Sequence, residues 1–203
     1  IAGLWSGCNM ARSEWVADDA MYLILAAMMP ANRLAIEVSL ATGLRISDVL
    51  SLKTDKVRQT ARPYVRDSKT GKLHRIYLPA ELRHRMLAQA GTIWVWEGRT
   101  DPTKHRTRGA VYKDMMQAVQ VIKRAGHVDK GAHISPHSAR KIAAVDVYHS
   151  KGLRAAQELL VHDQEHPATT LLYALSDAMP PSSKRRKRRS CARSTRKPHS
   201  GQE

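Results

Sequence analysis

The chain has 203 residues, 42% of them hydrophobic, and carries a formal net charge of +16 at neutral pH. This length suits one large domain or two small ones with a buried core. The charge favours a polyanionic partner, with nucleic acid ahead of membrane. Residues 184–203 hold nine Lys and Arg against one Glu, which is +8 of the total, so the remaining body is basic as well.

Cysteine content and hydropathy exclude two further classes. Cys8 and Cys191 are the only cysteines, so a disulfide framework is excluded and a reducing compartment is indicated. The longest apolar run, around residues 21–30, is too short to span a bilayer, and no signal peptide is evident. We therefore expect no membrane partner.

The hydrophobic pattern predicts an α+β domain that is mainly helical with a small antiparallel β-sheet. In chain order it predicts helix at 14–29, 31–41 and 46–52, strands at 62–67 and 73–78, and helix at 80–90, 109–125, 137–150, 153–161 and 167–176. Ser13 is the expected N-cap of the first helix and Pro30 its stop. Residues 98–108 form a basic loop, and the tail beyond Pro180 lacks a hydrophobic pattern and is expected to be disordered when unbound.

Two short segments far apart in the chain each present an arginine. They are residues 42–48 (Thr-Gly-Leu-Arg-Ile-Ser-Asp) and residues 137–140 (His-Ser-Ala-Arg). A guanidinium is planar, fork-shaped and always charged, so two of them can clamp a phosphodiester as its charge spreads in the transition state. Further downstream lie Leu160-Val161-His162 and then Tyr173, and a tyrosine beside a clamped phosphate can serve as a nucleophile.

In order and local context these segments resemble the catalytic boxes of the tyrosine recombinase (phage integrase) family. The ordered co-occurrence of Arg, hairpin Lys, His-x-x-Arg, Leu-x-His and Tyr is far more specific than any one of these motifs. The resemblance implies the DNA breaking-rejoining fold, with a lead-in at 1–13, a catalytic domain at 14–178 and a basic tail at 179–203. Family members usually carry a DNA-clamping domain before the catalytic one, and only about 13 residues precede the first helix here. The sequence therefore resembles an isolated catalytic domain.

The resemblance implies the roles of seven residues. The implied catalytic residues are Arg45, Lys69, His137, Arg140, His162 and Tyr173. Arg45 and Arg140 would hold the scissile phosphate, and Lys69 would protonate the leaving 5′ oxygen. His137 would act in proton transfer around the nucleophile Tyr173. His162 would bond a non-bridging phosphate oxygen, and Asp48 would orient the site, although an i,i+3 helix pair also accounts for it.

Some positions depart from the family pattern or compete with it. Lys72 lies in the same turn as Lys69 and competes with it for the role of general acid. Lys69 is favoured, because Ser-Lys-Thr-Gly resembles the usual turn of the family. Ala139 stands where Leu is frequent, and Val161 replaces the Gly of the Leu-Gly-His box. His162 and Tyr173 are eleven positions apart, which indicates a lengthened loop at 163–167. Tyr148 is the second candidate for the nucleophile.

Further basic residues are expected to meet the DNA backbone, and no cofactor or metal is expected. The backbone candidates are Lys72, Lys104, Arg106, Arg108 and Lys141. His133 with His137, and His162 with His166, form i,i+4 pairs, but Pro136 and Pro167 argue that neither pair lies on one continuous helix, and no carboxylate or Cys completes a set.

The function that the resemblance implies is that of a site-specific DNA recombinase (integrase) catalytic domain. It would cleave and rejoin double-stranded DNA through a 3′-phosphotyrosine without metal or ATP, as a homotetramer on two DNA sites and a monomer or dimer without DNA. A telomere resolvase, transposase or topoisomerase-like enzyme would use the same boxes. A catalytically inactive DNA-binding protein on this fold is the non-enzymatic alternative.

The family resemblance and the charge of the tail also lead to expectations about cellular location and about the role of the tail. A bacterial or phage-encoded protein would be cytoplasmic and nucleoid-associated when on DNA, and a eukaryotic one nuclear. The basic tail would grip phosphates, act as a nuclear import signal or have no role.

Overall fold

The computed structural model describes residues 13–160, 168–175, 177 and 178. Over these residues the elements in chain order are α1 (Asp18–Ala26), α2 (Pro30–Thr42), α3 (Ile46–Leu50), α4 (Thr54–Gln59), β1 (Tyr64–Arg66), β2 (Leu73–Arg75), α5 (Ala80–Gln89), α6 (Arg108–Arg124), α7 (Pro136–Leu160) and α8 (Ala168–Ala174). The predicted class, mainly helical with a small antiparallel sheet, is confirmed. The predictions for His162, for the loop at 163–167 and for the tail fall outside the described residues.

The start of the domain differs from the prediction. Ser13 does not cap α1, because that helix begins only at Asp18 with Ala17 as its N-cap. The Ser13 hydroxyl instead lies 2.6 Å from the Ser135 hydroxyl, just before α7. Pro30 lies at the start of α2, where its missing N–H is not needed, rather than only ending the helix before it.

Gly43 ends α2 and sets the position of the next segment. It adopts a left-handed φ of 67° as the C-cap, a conformation that only glycine takes without strain. A Cβ built on Gly43 would lie 2.7 Å from the Leu159 Cγ, so the turn also packs directly against the end of α7. Arg45 follows two residues later as the N-cap of α3.

The two strands form an antiparallel hairpin joined by an exposed turn at residues 68–72. Val65 is paired with His74, and backbone hydrogen bonds from Ile76 and Leu78 to residues before β1 continue the pairing past the named strands. The strands are shorter than predicted. Helix α4, which was not predicted, leads into β1.

The core lies among α1, α2, α5, α6 and α7. Helix α1 packs against α6, α2 against α7, and α7 against α8. Helix α7 contains a non-helical residue, Gly152, in agreement with the predicted break between 150 and 153. Among the described residues no helix is long and apolar enough to cross a bilayer. The packing of α8 on α7 carries Tyr173 to the first turn of α7.

Candidate active site

Five of the six predicted catalytic residues lie in one region of the fold. Arg45 is at the head of α3, Lys69 is in the hairpin turn, His137 and Arg140 are in the first turns of α7, and Tyr173 is on α8. The charges of Arg45, Lys69 and Arg140 all act on the His137 ring. The sixth residue, His162, lies outside the described residues. Tertiary packing thus brings together four segments that are distant in sequence.

The proposed nucleophile is in contact with a histidine. The Tyr173 hydroxyl and His137 Nε2 form a hydrogen bond, and their rings meet edge to face with centroids 5.4 Å apart. Lys141, one position after Arg140, places its amine 5.8 Å from the centroid of the Tyr173 ring. The Tyr173 hydroxyl therefore lies beside the first turn of α7.

Arg140 is buried and joins two ends of the fold. Its residue surface is 1% exposed. Nη1 donates to the Gly43 carbonyl at 2.5 Å, and Nη2 donates to the Leu160 carbonyl at 2.6 Å. Its Nε is buried without a partner in the part of the chain described. Since a guanidinium has five N–H donors, three of them are not used by these two carbonyls.

Arg45 is held by Asp67, an aspartate that the sequence motifs did not indicate. Its Nη1 donates to Asp67 Oδ2 in an ion pair, with the arginine side chain 19% exposed and the aspartate 1%. The other Asp67 oxygen accepts from the backbone N–H groups of Lys69 and Thr70 at 2.9 and 2.8 Å. An Asp at the start of a Ser-Lys-Thr-Gly turn is a signal for such side-chain capping, and this signal could have been found in the sequence.

Asp48 supports the lysine turn. The carboxylate is buried, and Oδ1 accepts a hydrogen bond from the Ser68 backbone N–H at 3.2 Å. Ser47 and Ser68 add a hydroxyl contact of 3.3 Å between α3 and the turn. Within the described residues Asp48 Oδ2 is buried without a partner. Asp48 thus links the helix that follows Arg45 to the turn that carries Lys69.

His74 is a second residue near the site that sequence reasoning missed. It points inward from β2, and both of its ring nitrogens are buried without a hydrogen-bond partner among the described residues. Burial lowers the pKa of His74, and the charges of Asp67 and Asp48 oppose that effect. It lines a cavity of about 190 Å³ together with Thr42 and Leu159. The alternation of side chains between the two faces of a strand was the signal that could have indicated His74, because it places His74 on the same face as the buried Ile76.

Burial and the charges of neighbouring cations shift the pKa values of three residues in the site. Burial, followed by the charges of Arg140, Lys141, Arg45 and Lys69, lowers the pKa of His137 to about 4. Burial and the neighbouring Arg45 lower the pKa of Arg140 to about 10. Burial raises the pKa of Tyr173, while the two arginines act in the opposite direction. The cations of the site thus favour an anion there, whereas burial disfavours charge of either sign.

The predicted DNA-backbone residues have different surroundings. Lys72 and Arg108 are exposed at the hairpin turn and at the start of α6. The Lys104 amine lies 3.1 Å from an Asp101 carboxylate oxygen, and Arg106 Nη1 donates to Asn32 Oδ1 at 2.7 Å. Lys104 and Arg106 therefore already hold partners within the protein. Over the described ranges no group of three or more His, Cys, Asp or Glu side chains could hold a metal ion.

Solved structures share this fold. The DNA-bound lambda integrase fragment (residues 75–356) matches with a TM-score of 0.63 and 24% identity over 80% of this chain and 60% of its own. The lambda integrase catalytic core matches with a TM-score of 0.60 and 23% identity, covering 75% of this chain and 94% of that one. XerA recombinase matches with a TM-score of 0.61 and 19% identity, covering 90% and 64% respectively.

At these identities the structural likeness establishes the fold, which is the catalytic-domain fold of tyrosine recombinases. The chain spans about 60% of the length of the DNA-bound lambda integrase fragment. No curated protein matches the chain by sequence. The model of the phage integrase family matches residues 14–178, most of the sequence. The chain therefore belongs to the phage integrase family, as its motifs predicted.

Proposed function

We propose that this chain is the catalytic domain of a site-specific DNA recombinase that cuts and rejoins strands through Tyr173. The observation that carries the proposal is the hydrogen bond between the Tyr173 hydroxyl and His137 Nε2, beside the charges of Arg45 and Arg140. A hydroxyl nucleophile next to a proton acceptor and two cations is what attack on a phosphodiester requires.

The two arginines bind the scissile phosphate. Arg45 uses one Nη1 donor for Asp67, and Arg140 uses two donors for backbone carbonyls, so both guanidiniums keep N–H groups for phosphate oxygens. Burial, followed by the charge of Arg45, lowers the pKa of Arg140, and the repulsion between the two cations is relieved when the phosphate enters. We propose His162 as a further donor to a non-bridging oxygen.

Cleavage exchanges one phosphoester for another. The Tyr173 oxygen attacks phosphorus, and the bond from phosphorus to the 5′ oxygen breaks. The phenol proton passes to His137, and Lys69 supplies the proton that the 5′ oxygen needs to leave as a hydroxyl. The products are a 3′-phosphotyrosine and a free 5′-hydroxyl. Rejoining is the reverse attack by a 5′-hydroxyl, so no ATP is consumed, and the protein's own cations stabilise the charge without a metal.

DNA entry also prepares His137 as the proton acceptor. Without DNA its pKa of about 4 makes it a weak base, because burial and surrounding cations disfavour its charged form. A phosphate among the same cations offsets their charge and raises the pKa of His137. The phosphate therefore makes His137 a better acceptor for the Tyr173 proton than it is without substrate.

The proposed partner is double-stranded DNA. Lys72 and Arg108, both exposed, are available to backbone phosphates, with Lys141 beside the nucleophile. Exchange between two duplexes needs four cleaving subunits, and a lambda integrase tetramer bound to a Holliday junction is among the structures with this fold. We propose the same assembly here, with the protein at the nucleoid in a bacterial or phage setting.

The test is trapping of a covalent adduct. A randomised pool of nicked duplexes, in which cleavage releases a short fragment and prevents rejoining, is incubated with the protein and resolved under denaturing conditions. We expect an adduct for the wild type and for Tyr148→Phe, and none for Tyr173→Phe. An adduct formed equally by Tyr173→Phe would disprove the assignment of the nucleophile, and absence of any wild-type adduct would disprove the activity.

A further inference from the structure

The Asp67 carboxylate divides its two oxygens between two parts of the site. Oδ1 accepts three hydrogen bonds from the lysine turn: Lys69 N at 2.9 Å, Thr70 N at 2.8 Å and Thr70 Oγ1 at 3.0 Å. Oδ2 accepts from Arg45 Nη1. With 1% of its surface exposed, Asp67 is a buried link between the turn and the arginine.

This link is notable because the turn itself is exposed. Residues 68–72 all lie at the surface, and the backbone of Asp67 closes the turn through its own bonds to Lys72 and Gly71. Burial raises the pKa of Asp67, but the bonds from Thr70 and Lys69 and the charge of Arg45 outweigh it, and the pKa lies below its ordinary value. The carboxylate is therefore charged at neutral pH and holds the lysine turn and Arg45 at the same time.

We propose that Asp67 is a positioning residue that fixes the Lys69 backbone relative to the Arg45 guanidinium. A general acid is effective only within hydrogen-bond reach of the leaving oxygen, and Arg45 sets the position of that phosphate. Asp67 thus determines the distance from the proton donor to the phosphate without touching the DNA. This inference rests on the proposed function, in which Lys69 is the general acid.

The two oxygens have separable roles. Asp67→Ala removes the anchor of the turn and the partner of Arg45 together. Asp67→Asn keeps an acceptor for the turn at the Oδ1 position but turns an N–H donor toward Arg45. The alanine variant therefore impairs both Lys69 and Arg45, whereas the asparagine variant impairs Arg45 alone.

The experiment compares two leaving groups on a cleavable duplex recovered from the randomised pool. One substrate has the ordinary 5′ oxygen at the scissile bond, and the other has a bridging sulfur. A thiol has a pKa near 8.5, so the sulfur departs as a thiolate that needs no proton. A defect in the placement of Lys69 disappears on the sulfur substrate, while a defect in phosphate binding persists.

We expect Asp67→Ala to slow adduct formation by about 100-fold on the oxygen substrate, within the range for loss of a general acid. On the sulfur substrate the rate of Asp67→Ala relative to the wild type should rise at least tenfold, as for Lys69→Ala. Asp67→Asn is slowed equally on both substrates. Asp129→Ala is the matched control, because Asp129 caps an exposed turn through Gly131 N at 2.6 Å outside the site, and it should match the wild type.

Equal slowing of Asp67→Ala on both substrates would overturn the positioning role. If that variant does not fold, Thr70→Val takes its place, because it keeps the Asp67 carboxylate and removes the Thr70 hydroxyl, which donates to Oδ1 at 3.0 Å and accepts from the Lys72 N–H at 3.4 Å. It should show a slowing of a few-fold that the sulfur substrate abolishes, and an unchanged oxygen rate would count against the proposal. If the wild type cleaves both substrates and the Asp67 variants do not differ from it, only the role of Asp67 is refuted. If the wild type cleaves neither substrate, the proposed function is refuted as well.

Discussion

The Gly43 carbonyl oxygen accepts a hydrogen bond of 2.5 Å from Arg140 Nη1, so the residue that ends α2 also holds the second arginine of the site. The two residues are 97 positions apart in the chain. Gly43 lies two residues before Arg45, which places both arginines relative to the same turn. The geometry of the proposed phosphate clamp therefore depends on Gly43, whose side chain takes no part in the chemistry.

Gly43→Ala is expected to destabilise the protein by about 2–5 kcal/mol. A left-handed φ costs a residue with a Cβ about 1–2 kcal/mol, and the new methyl group would meet Leu159 at 2.7 Å, an overpacking that adds about 1–3 kcal/mol. Urea unfolding measures the change. Gly126→Ala is the control, because Gly126 has a φ of 84° with no atom within 4 Å of an added Cβ, and it should lose only about 1 kcal/mol. Equal losses would show that the Leu159 contact is unimportant.

Arg140→Lys is expected to cost more stability than Arg45→Lys. Lysine keeps the charge but cannot reach the Gly43 and Leu160 carbonyls together, and each hydrogen bond from a charged group is worth about 1.5–3 kcal/mol. We expect a loss of about 3 kcal/mol at Arg140. Arg45 is partly exposed and lysine can still pair with Asp67, so that variant should lose about 1 kcal/mol or less. Thermal unfolding of the two variants side by side tests this order, which a purely catalytic role for Arg140 would not produce.

Stability should fall on mild acidification because of His137. Its pKa is about 4 in the folded protein and near 6.5 in the unfolded chain, so between these values the unfolded state binds more protons. The free energy of unfolding therefore decreases as the pH falls from 6.5 to 4, and the contribution of neutral His137 is complete above pH 6.5.

The measurement is urea unfolding at several pH values. His137→Gln, which keeps a polar group for Tyr173, should flatten the dependence in this window, while His133→Gln at an exposed position should leave it unchanged. An unaltered slope in His137→Gln would mean that other groups, such as His74, cause the dependence.

Lys69 and Lys72 should differ sharply in catalysis. Of these two lysines, Lys69 is the one whose backbone N–H is held by the Asp67 carboxylate, and its charge acts on His137 in the site. We expect Lys69→Ala to slow adduct formation by about 10²- to 10⁴-fold, as for loss of a general acid. Lys72→Ala should mainly weaken DNA binding and lower the salt dependence of the dissociation constant. The reverse pattern in single-turnover rates would assign the acid to Lys72.

Local chemistry made much of the fold predictable. Helical spacing, the glycine after α2 and the polar turn between two strands are signals carried by neighbouring residues, so most elements were located correctly. Pro30 shows where such signals fail, because proline both ends one helix and begins another. Ser13 was a plausible cap whose hydroxyl is instead taken by Ser135, a partner that no local pattern reveals.

The sequence by itself indicated which side chains to propose for holding and cutting a phosphodiester, because arginine, lysine, histidine and tyrosine occur in the order that the family resemblance predicts. Only the tertiary structure decided how they are supported. The two carbonyls that hold Arg140 and the ion pair between Asp67 and Arg45 depend on contacts between segments that are distant in the chain. Local patterns can indicate that Asp67 caps a turn or that His74 faces inward, but the distant partner of each residue is set by the packing of the whole domain.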